Sequence, residues 1–161
     1  MKIRLKLLIL IAVTLLLFFA IFKLERTKVL IIESQTEDVK HTILVPEKKF
    51  TLSFIHSVEK TPVYEVFEIT KDNKLILVET TFSSLGVGLP YTEDNGEFKN
   101  EHGQFKLTGL NREFTSIEMR VSPIPKHSIT VGEKTYSLLS FVASDDLVKI
   151  TAADRWMLVR R

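Results

Sequence analysis

Apolar and polar residues alternate along much of the chain that follows the first 28 residues. The clearest case is the segment 50–56, in which Phe50, Leu52 and Phe54 would share one face of a strand. A period of two is typical of a strand with one buried face, and no helical period of any length follows residue 28. The pattern therefore predicts a β domain over residues 29–161.

Turn residues divide this region into short apolar runs. Lys71-Asp72-Asn73 and Gly132-Glu133-Lys134 are polar tripeptides that each separate two such runs, which is the signal of a tight hairpin. Runs at hairpin spacing predict an all-β fold, an antiparallel β-sandwich or barrel of about ten strands. The candidate strands are 29–33, 42–45, 50–56, 63–70, 74–82, 104–108, 114–121, 128–131, 135–141, 147–151 and 156–159.

The N-terminal part of the chain combines a short basic stretch with an apolar run. Leu7–Phe22 carries no charge, and Thr14 is its only polar residue. As a helix the run would span roughly 24 Å at ~1.5 Å per residue, and Lys6 and Lys23 could extend their ammonium groups to the two membrane interfaces. Ala20 is the only small residue near the end of the run, which favours an uncleaved signal anchor over a cleaved signal peptide.

Residues 1–28 are thus predicted to be a signal anchor, one transmembrane helix with a short linker. Its partner would be the membrane, contacted through residues 7–22. The short basic tail favours an N-terminus inside the cell and residues 29–161 outside it. We expect a single-pass protein of the cytoplasmic membrane with an extracytoplasmic C-terminal domain.

The overall charge is close to neutral, with 22 Lys and Arg against 20 Asp and Glu. Six of these bases and one acid lie in residues 1–28, so the rest of the chain carries 16 bases and 19 acids, a net charge of −3. A mildly acidic domain lacks the clustered cationic face that nucleic acid requires, and no nucleic-acid partner is predicted. Cysteine is absent, which excludes disulfides and thiolate metal sites.

One candidate site lies at the end of the strand 50–56. A four-residue loop at Val58–Thr61 would pair His56 with Val63 and make His56 and Glu65 diagonal neighbours on the same face. A His–carboxylate pair in apolar surroundings must be satisfied by a hydrogen bond. A change of one residue in the loop length would move Glu65 to the other face.

Three interpretations of this pair stay open. It fixes the hairpin register, or it is a polar anchor for a ligand or partner, or it belongs to a metal site that takes a third ligand from Glu59, His102 or His127. Serine hydrolase chemistry is disfavoured, because adjacent residues of a strand, here His56 and Ser57, point to opposite faces.

A second candidate segment is the glycine-containing stretch before the acidic turn at residues 93–96. Gly86 and Gly88 lack the third glycine and the helix that a dinucleotide fingerprint needs. We expect a tight exposed loop that ends at Pro90 and presents its backbone as a contact surface beside His56.

The two segments together resemble a known family. His-Ser-Val-Glu-x-Thr-Pro-x-x-Glu at His56–Glu65, followed by Phe-x-Ser-x-Gly-x-Gly-x-Pro at Phe82–Pro90, is similar to a family of small domains of unknown function encoded beside TAXI-type TRAP transporters. The resemblance implies a membrane-tethered extracytoplasmic β domain and a link to solute uptake. It implies no catalytic residues.

These observations lead to one functional hypothesis and one alternative. The hypothesis is a non-enzymatic, membrane-tethered accessory or binding module, whose partner would be a transporter subunit or a solute-binding protein. The alternative is a small membrane-anchored enzyme, a hydrolase or metalloenzyme, that uses His56 and Glu65. No catalytic residue, metal or cofactor is predicted. The predicted ligand or partner contacts are His56, Ser57, Glu59, Thr61, Glu65, Gly86, Gly88 and Pro90.

Overall fold

The computed structural model describes residues 2–83, 96–101 and 103–160. These residues form one helix, α1 Lys2–Ile21, eleven strands and a 3-10 turn at Leu138–Ser140. The strands are β1 Phe22–Ser34, β2 Lys40–Val45, β3 Lys49–Ile55, β4 Pro62–Ile69, β5 Leu75–Phe82, β6 Glu97–Glu101, β7 Gln104–Phe114, β8 Ile117–Arg120, β9 Ser128–Val131, β10 Lys134–Ser137 and β11 Leu147–Arg160.

The chain divides into two compact units. One contains the described residues up to Thr27 together with those from Arg155 onward, and the other is Lys28–Asp154. β1 and β11 contribute residues to both units.

The first unit contains α1. A helix is present where residues 7–22 were predicted to form a transmembrane helix, but it runs from Lys2 to Ile21, and Phe22 belongs to β1. Its polar residue Thr14 donates its hydroxyl to the carbonyl of Leu10 at 2.8 Å, which satisfies the side chain within the helix. Apolar side chains are exposed all around the helix axis: Leu7, Leu10, Ile11, Val13, Leu16 and Phe19. In the part of the chain that the structure describes, no helix is both long and apolar enough to cross a membrane.

The second unit is an antiparallel two-sheet sandwich. The larger sheet has seven strands in the order β10-β9-β3-β4-β5-β7-β6, and the smaller has four in the order β2-β1-β11-β8. Residues of both sheets share one apolar core, which includes Leu30, Ile32, Val148 and Ile150 from the smaller sheet. The predicted antiparallel β-sandwich is therefore confirmed, and the barrel alternative is wrong.

Both predicted hairpin turns are present. The first closes with a hydrogen bond from Thr70 N to Lys74 O at 2.9 Å, and Asn73 takes the positive φ of 64° that the turn needs. In the second, Val131 pairs with Lys134 across a two-residue loop in which Gly132 has φ 56°.

The prediction of separate strands at 147–151 and 156–159 is wrong, because they belong to one continuous strand, β11. An aspartate is disfavoured in a strand, and Asp154 lies between the two predicted segments. Its carboxylate binds the ammonium of Lys28 at 3.1 Å, which satisfies its charge inside the sandwich. Lys28 is only 5% exposed and also donates to Lys71 O at 2.8 Å and to Asn73 Oδ1 at 2.7 Å.

A bulge interrupts β5 at Val78. The pairing register shifts there against both neighbouring strands, β4 and β7. The buried positions accordingly change phase, from Leu75 and Leu77 before the bulge to Thr80 and Phe82 after it. Because a bulge redirects the side chains that follow it, Leu77 and Thr80 face the same interior.

Candidate functional site

The candidate site begins with the register of the β3–β4 hairpin. Leu52 pairs with Glu65, and Ile55 pairs with Pro62, so the loop comprises residues 56–61. The four-residue loop predicted at Val58–Thr61 is therefore wrong, and the pairing is displaced by two positions. A displacement of two leaves every side chain on its predicted face, and Glu65 points toward the interior as predicted.

The longer loop is stabilised by its own backbone and by the ring of His56. His56 N donates to Thr61 O at 2.9 Å, and Lys60 N donates to His56 O at 3.0 Å. The amide of Glu59 donates to His56 Nδ1 at 3.2 Å. The Nδ1 of the His56 ring is thus engaged within the loop.

Glu65 lies in a row of otherwise uncharged side chains that crosses the larger sheet. In register order the row is Ile129, Leu52, Glu65, Thr80 and Leu107. All four neighbours in this row are buried. A glutamate in the middle of such a row is unusual, since ionised groups are costly to bury unless they are paired.

Arg112 supplies the opposite charge from the adjacent row of the same face. That row consists of Phe50, Phe67, Leu77 and Arg112. β7 inserts residues 109–111 opposite the bulge in β5, and this insertion pairs Arg112 with Leu77. Gly109 permits it, because the chain there takes a φ of 74° that disfavours any residue with a Cβ.

Burial raises the pKa of the Glu65 carboxyl above its ordinary value of 4.5, and the positive charge of Arg112 lowers it to a smaller extent. The protonated form of Glu65 is therefore favoured more than in an exposed glutamate. An acid that lines a cavity and whose pKa is raised by burial is a candidate functional group.

Glu65 and Arg112 line a cavity of about 500 Å³. Leu77 and Thr80 are buried while Ser57 is exposed, so the cavity extends from the interior to the surface. Its apolar wall consists of Phe54, Ile55, Leu77, Phe114 and Pro125. Its polar wall consists of His56, Ser57, Glu65, Thr80, Arg112 and His127.

His127 contributes a half-buried imidazole to this wall. Its ring lies 5.7 Å from the ring of Phe54, centroid to centroid. Burial lowers the pKa of His127, which favours the neutral imidazole. Its Nδ1 is buried and has no hydrogen-bond partner among the described residues, which is uncommon for a buried polar atom.

The structure brings together part of the predicted site. His56, Ser57 and Glu65 line the cavity, whereas Glu59 and Thr61 stabilise the loop through their backbones. Gly86, Gly88 and Pro90, which were predicted to lie beside His56, fall outside the described residues.

The sequence interpretation missed Thr80 and Arg112 and considered His127 only as a metal ligand. A glycine inside a strand pattern signals a bulge, and Gly109 could have indicated that Arg112 occupies a special position. Within the described ranges, no three His, Asp or Glu side chains are grouped so as to hold a metal ion.

The fold and the cavity together define a class of protein: a small antiparallel β-sandwich with a glutamate and an arginine facing a cavity. The model of one family, a domain of unknown function (DUF1850), matches residues 50–138, more than half of the chain, and the chain belongs to this family. The predicted resemblance to domains of unknown function is confirmed to that extent. No curated protein and no solved structure matches the chain.

The matched segment runs from β3 to the 3-10 turn after β10. Every cavity-lining residue lies inside it, whereas α1, β1, β2 and β11 lie outside. The cavity is therefore contained in the part of the chain that identifies the family.

Proposed function

We propose that the protein is a non-enzymatic binding module, held at a membrane by its N-terminal helix, that takes up a small ligand in the cavity. The observation that carries the proposal is the Glu65–Arg112 pair on the inner face of the sheet, beside open volume. About 500 Å³ is within the usual range for sites that bind small organic molecules.

A purely structural role explains this arrangement less well. An ion pair that only supports the fold is normally enclosed and fully hydrogen-bonded, because unfilled volume beside buried charge lowers stability. Here the charged pair faces a cavity, and His127 Nδ1 has no partner in the described residues. A bound ligand would fill the volume and supply partners for the polar wall.

Attachment to a membrane is supported by α1. Leu16 is 70% exposed and Phe19 63% exposed, and the apolar positions surround the helix axis. Such a helix has no polar face to turn toward water, and a lipid environment would bury all of its sides. Lys6 and Lys23 flank the apolar run, and their ammonium groups could contact lipid headgroups.

The attachment is tested by fractionating cells that produce the full chain. We expect the protein in the membrane fraction after washing with alkaline carbonate, and we expect protease added to intact, wall-stripped cells to degrade residues 29–161. Release by carbonate would indicate a peripheral protein, and protection until lysis would refute the extracytoplasmic orientation.

We also propose a transporter subunit or solute-binding protein as the partner. This part rests only on the resemblance of the segments His56–Glu65 and Phe82–Pro90. Crosslinking in native membranes followed by identification of the captured protein tests it, and capture of no transport component would refute it.

Ligand binding is tested by native mass spectrometry of the full chain, gently extracted from its own membranes. We expect a retained small molecule in the wild type and its loss in Arg112→Met. The matched control is Lys106→Met, because Lys106 is also a cation of β7 but pairs with Glu79 at 2.8 Å outside the cavity. Equal retention in both variants would contradict the cavity as the binding site.

A small hydrolase is the second candidate, because His56, Ser57 and Glu65 line the same cavity. The ring of His56 is held by its own loop, however, and this bond withdraws Nδ1 from acid–base work. Turnover of a panel of simple esters that is abolished in His56→Ala would establish this candidate over the binding module.

A further inference from the structure

We infer that the protein has a second membrane contact: residues 22–27 of β1 and 155–160 of β11 form a ribbon that binds the headgroup region of an anionic lipid bilayer. Leu24, Trp156 and Leu158 enter the interface, and basic side chains of the same ribbon face the lipid phosphates. This inference rests on the proposed membrane attachment and adds a lipid-binding surface to it.

The ribbon is the part of β1 and β11 that extends beyond the other two strands of the smaller sheet. β1 and β11 are hydrogen-bonded neighbours. Gln35, which follows β1, donates its amide to Leu147 O at 2.8 Å, at the start of β11. Farther along β11, Asp154 contacts Lys28, which precedes Gln35 in the chain, so the two strands run antiparallel. In the described pairings, β2 pairs with β1 only from Lys28 on, and β8 pairs with β11 only up to Ile150.

Apolar side chains on one face of the ribbon are uncovered. Within the sandwich, the even-numbered positions of both strands face the core, as Leu30 and Ile150 do. Alternation along the strands places Leu24, Trp156 and Leu158 in the same phase. These three side chains are 64%, 63% and 49% exposed. The ribbon therefore presents an apolar face that awaits a partner.

A lipid headgroup region fits a ribbon of this kind. A two-stranded sheet is marginally stable in water, so contact with a further surface would stabilise it. Tryptophan has an apolar ring and a polar N–H, and it is enriched where hydrocarbon meets water. The hydrocarbon core itself does not fit, because open strand edges do not occur there. In the headgroup region, water still reaches the N–H and C=O groups of the outer edges.

Charge identifies an anionic bilayer as the partner. The unit that contains the ribbon, residues 1–27 and 155–161, carries eight Lys or Arg and one acid, whereas residues 28–154 carry 14 bases and 19 acids. Within the ribbon, Lys23 and Arg155 are exposed, and Lys23 lies 2.9 Å from the single acid of this unit, Glu25. Positive charge is thus concentrated in the unit that contains α1, and it matches the negative surface potential of anionic lipids.

The ribbon is also continuous with α1. The helix ends at Ile21 and β1 begins at Phe22, whose ring lies 5.1 Å from the ring of Phe18. Attachment by α1 alone would bring this end of the ribbon to the bilayer surface. Trp156 lies near the other end, two residues from Asp154, and six strand residues span roughly 20 Å, whereas the polar interface of one leaflet is only roughly 5–8 Å thick. Trp156 therefore enters the interface only if the ribbon lies along the surface.

The test uses Trp156, the single tryptophan of the chain, as a fluorescent probe. The full chain is reconstituted into phosphatidylcholine vesicles with and without phosphatidylglycerol, in which part of the lipid carries bromine near the headgroup end of its chains and quenches tryptophan on contact. In the phosphatidylglycerol vesicles we expect emission at shorter wavelength and at least about twofold quenching. Both effects should be smaller in vesicles without phosphatidylglycerol, and smaller in about 1 M salt, where the Debye length is about 3 Å.

A double variant tests the apolar face. Leu24→Ser combined with Leu158→Ser should reduce the quenching of Trp156 by at least about half, because less apolar surface enters the interface. The matched control is Leu44→Ser, since Leu44 is an exposed leucine of β2 in the same sheet but outside the ribbon. Circular dichroism and urea midpoints establish that each variant is folded, and the wild-type measurement decides the inference even if the double variant is not.

A second double variant tests the charge. Lys23→Gln combined with Arg155→Gln should reduce the difference in Trp156 quenching between vesicles with and without phosphatidylglycerol. Flotation of each variant with the vesicles on a density gradient reports attachment by α1 separately.

The remaining outcomes distinguish failure of this inference from failure of the proposed attachment. Flotation with an unquenched Trp156 would overturn the inference and leave attachment by α1 intact. Emission at short wavelength without quenching by brominated lipid would indicate contact with a protein surface, including a second copy of the chain, and would also overturn it. Equal quenching with and without phosphatidylglycerol would contradict the role of anionic lipid. Absence of flotation would refute both contacts.

Discussion

The surroundings of Lys28 and Asp154 differ from those of Arg112 and Glu65, although both sets combine a cation with a carboxylate inside the sandwich. Lys28 is 5% exposed and is bound by the carboxylate of Asp154, by Asn73 Oδ1 and by the carbonyl of Lys71, so all three of its ammonium hydrogens have acceptors. Arg112 and Glu65 face a cavity, and burial there disfavours the ionised acid.

The difference distinguishes architecture from a binding site. A buried charge that is completely enclosed by acceptors has nothing left to offer a ligand, and it fixes how the chain segments meet. A pair that lines open volume keeps donors, protonation states and space available. The same residue types thus have different roles, which depend on whether open volume remains beside them.

The largest effect is expected at the enclosed pair. Lys28→Met would leave the Asp154 carboxylate and two acceptors without their cation, and we expect it to lower the free energy of unfolding by about 3–5 kcal/mol. Urea unfolding of the detergent-solubilised full chain measures this loss.

Lys149→Met is the matched control, because Lys149 pairs with Glu118 at 3.6 Å and both side chains are exposed. An exposed pair contributes at most about 1 kcal/mol. If Lys28→Met and Lys149→Met lost equal stability, the conclusion that the Lys28 site is enclosed would be wrong.

A smaller effect is expected at the cavity pair. We expect Glu65→Gln to change the free energy of unfolding near neutral pH by no more than about 1 kcal/mol, because Gln keeps the shape and a donor without an ionised group. The folded-state pKa of Glu65 is raised, so its contribution to stability is present below pH 4.5 and is lost as the pH rises through the folded-state value.

The wild type should therefore lose stability relative to Glu65→Gln as the pH rises from 4.5. Urea midpoints of both proteins across this range measure the difference. A difference that grew in the opposite direction, with the wild type gaining stability as the pH rises, would show that the ion pair with Arg112 outweighs burial.

The stability contribution of Asp146, a buried acid, has the opposite pH dependence to that of Glu65. The Thr36 hydroxyl donates to Asp146 Oδ1, and this bond is the main reason that the pKa of Asp146 lies below its ordinary value of 3.8. Its contribution to stability is present above pH 3.8 and is lost as the pH falls toward the folded-state value. Thr36→Val should weaken this acid sensitivity in urea unfolding between about pH 5 and about pH 3, and an unchanged profile would contradict the assignment.

The smallest effects on stability are expected at two glycines with positive φ. Gly109 and Gly132 have φ of 74° and 56°, and a Cβ at either would meet open space, so alanine adds only backbone strain. Each substitution should cost about 1 kcal/mol. Because Gly109 shapes the bulge that places Arg112, Gly109→Ala should also reduce the small molecule retained in native mass spectrometry, while Gly132→Ala should not. If both variants bound equally well, the bulge at Gly109 would not contribute to the binding site.

The sequence pattern predicted the features that follow from a period of two in the apolar residues. It predicted an antiparallel β fold, either a sandwich or a barrel, and both hairpin turns. It also predicted that Glu65 shares a face of the sheet with Phe50 and Leu52, since a strand in which these two are buried leaves few choices for the residues paired with them. It also gave His56, Ser57 and Glu65 as candidate contact residues, and all three line the cavity.

The remaining features depend on partners that are distant in sequence. The length of the loop after β3 depends on backbone bonds such as His56 N to Thr61 O, which residue types alone do not specify. The continuity of β11 depends on Lys28, which satisfies Asp154 from the other end of the domain. Arg112 reaches the cavity through a bulge at Val78 on another strand, and Gly109 is the one local sign of this displacement.

The enclosed Lys28 also has a consequence for biosynthesis. It belongs to the first strand, whereas the Asp154 that neutralises it belongs to β11, which lies between β1 and β8 and leaves the ribosome after all other described strands. The smaller sheet therefore lacks an inner strand until the domain has been completely translated, and non-local pairing of this kind is slow. The edge of β1 must be kept from premature association until β11 has been translated, because only then can the smaller sheet be completed.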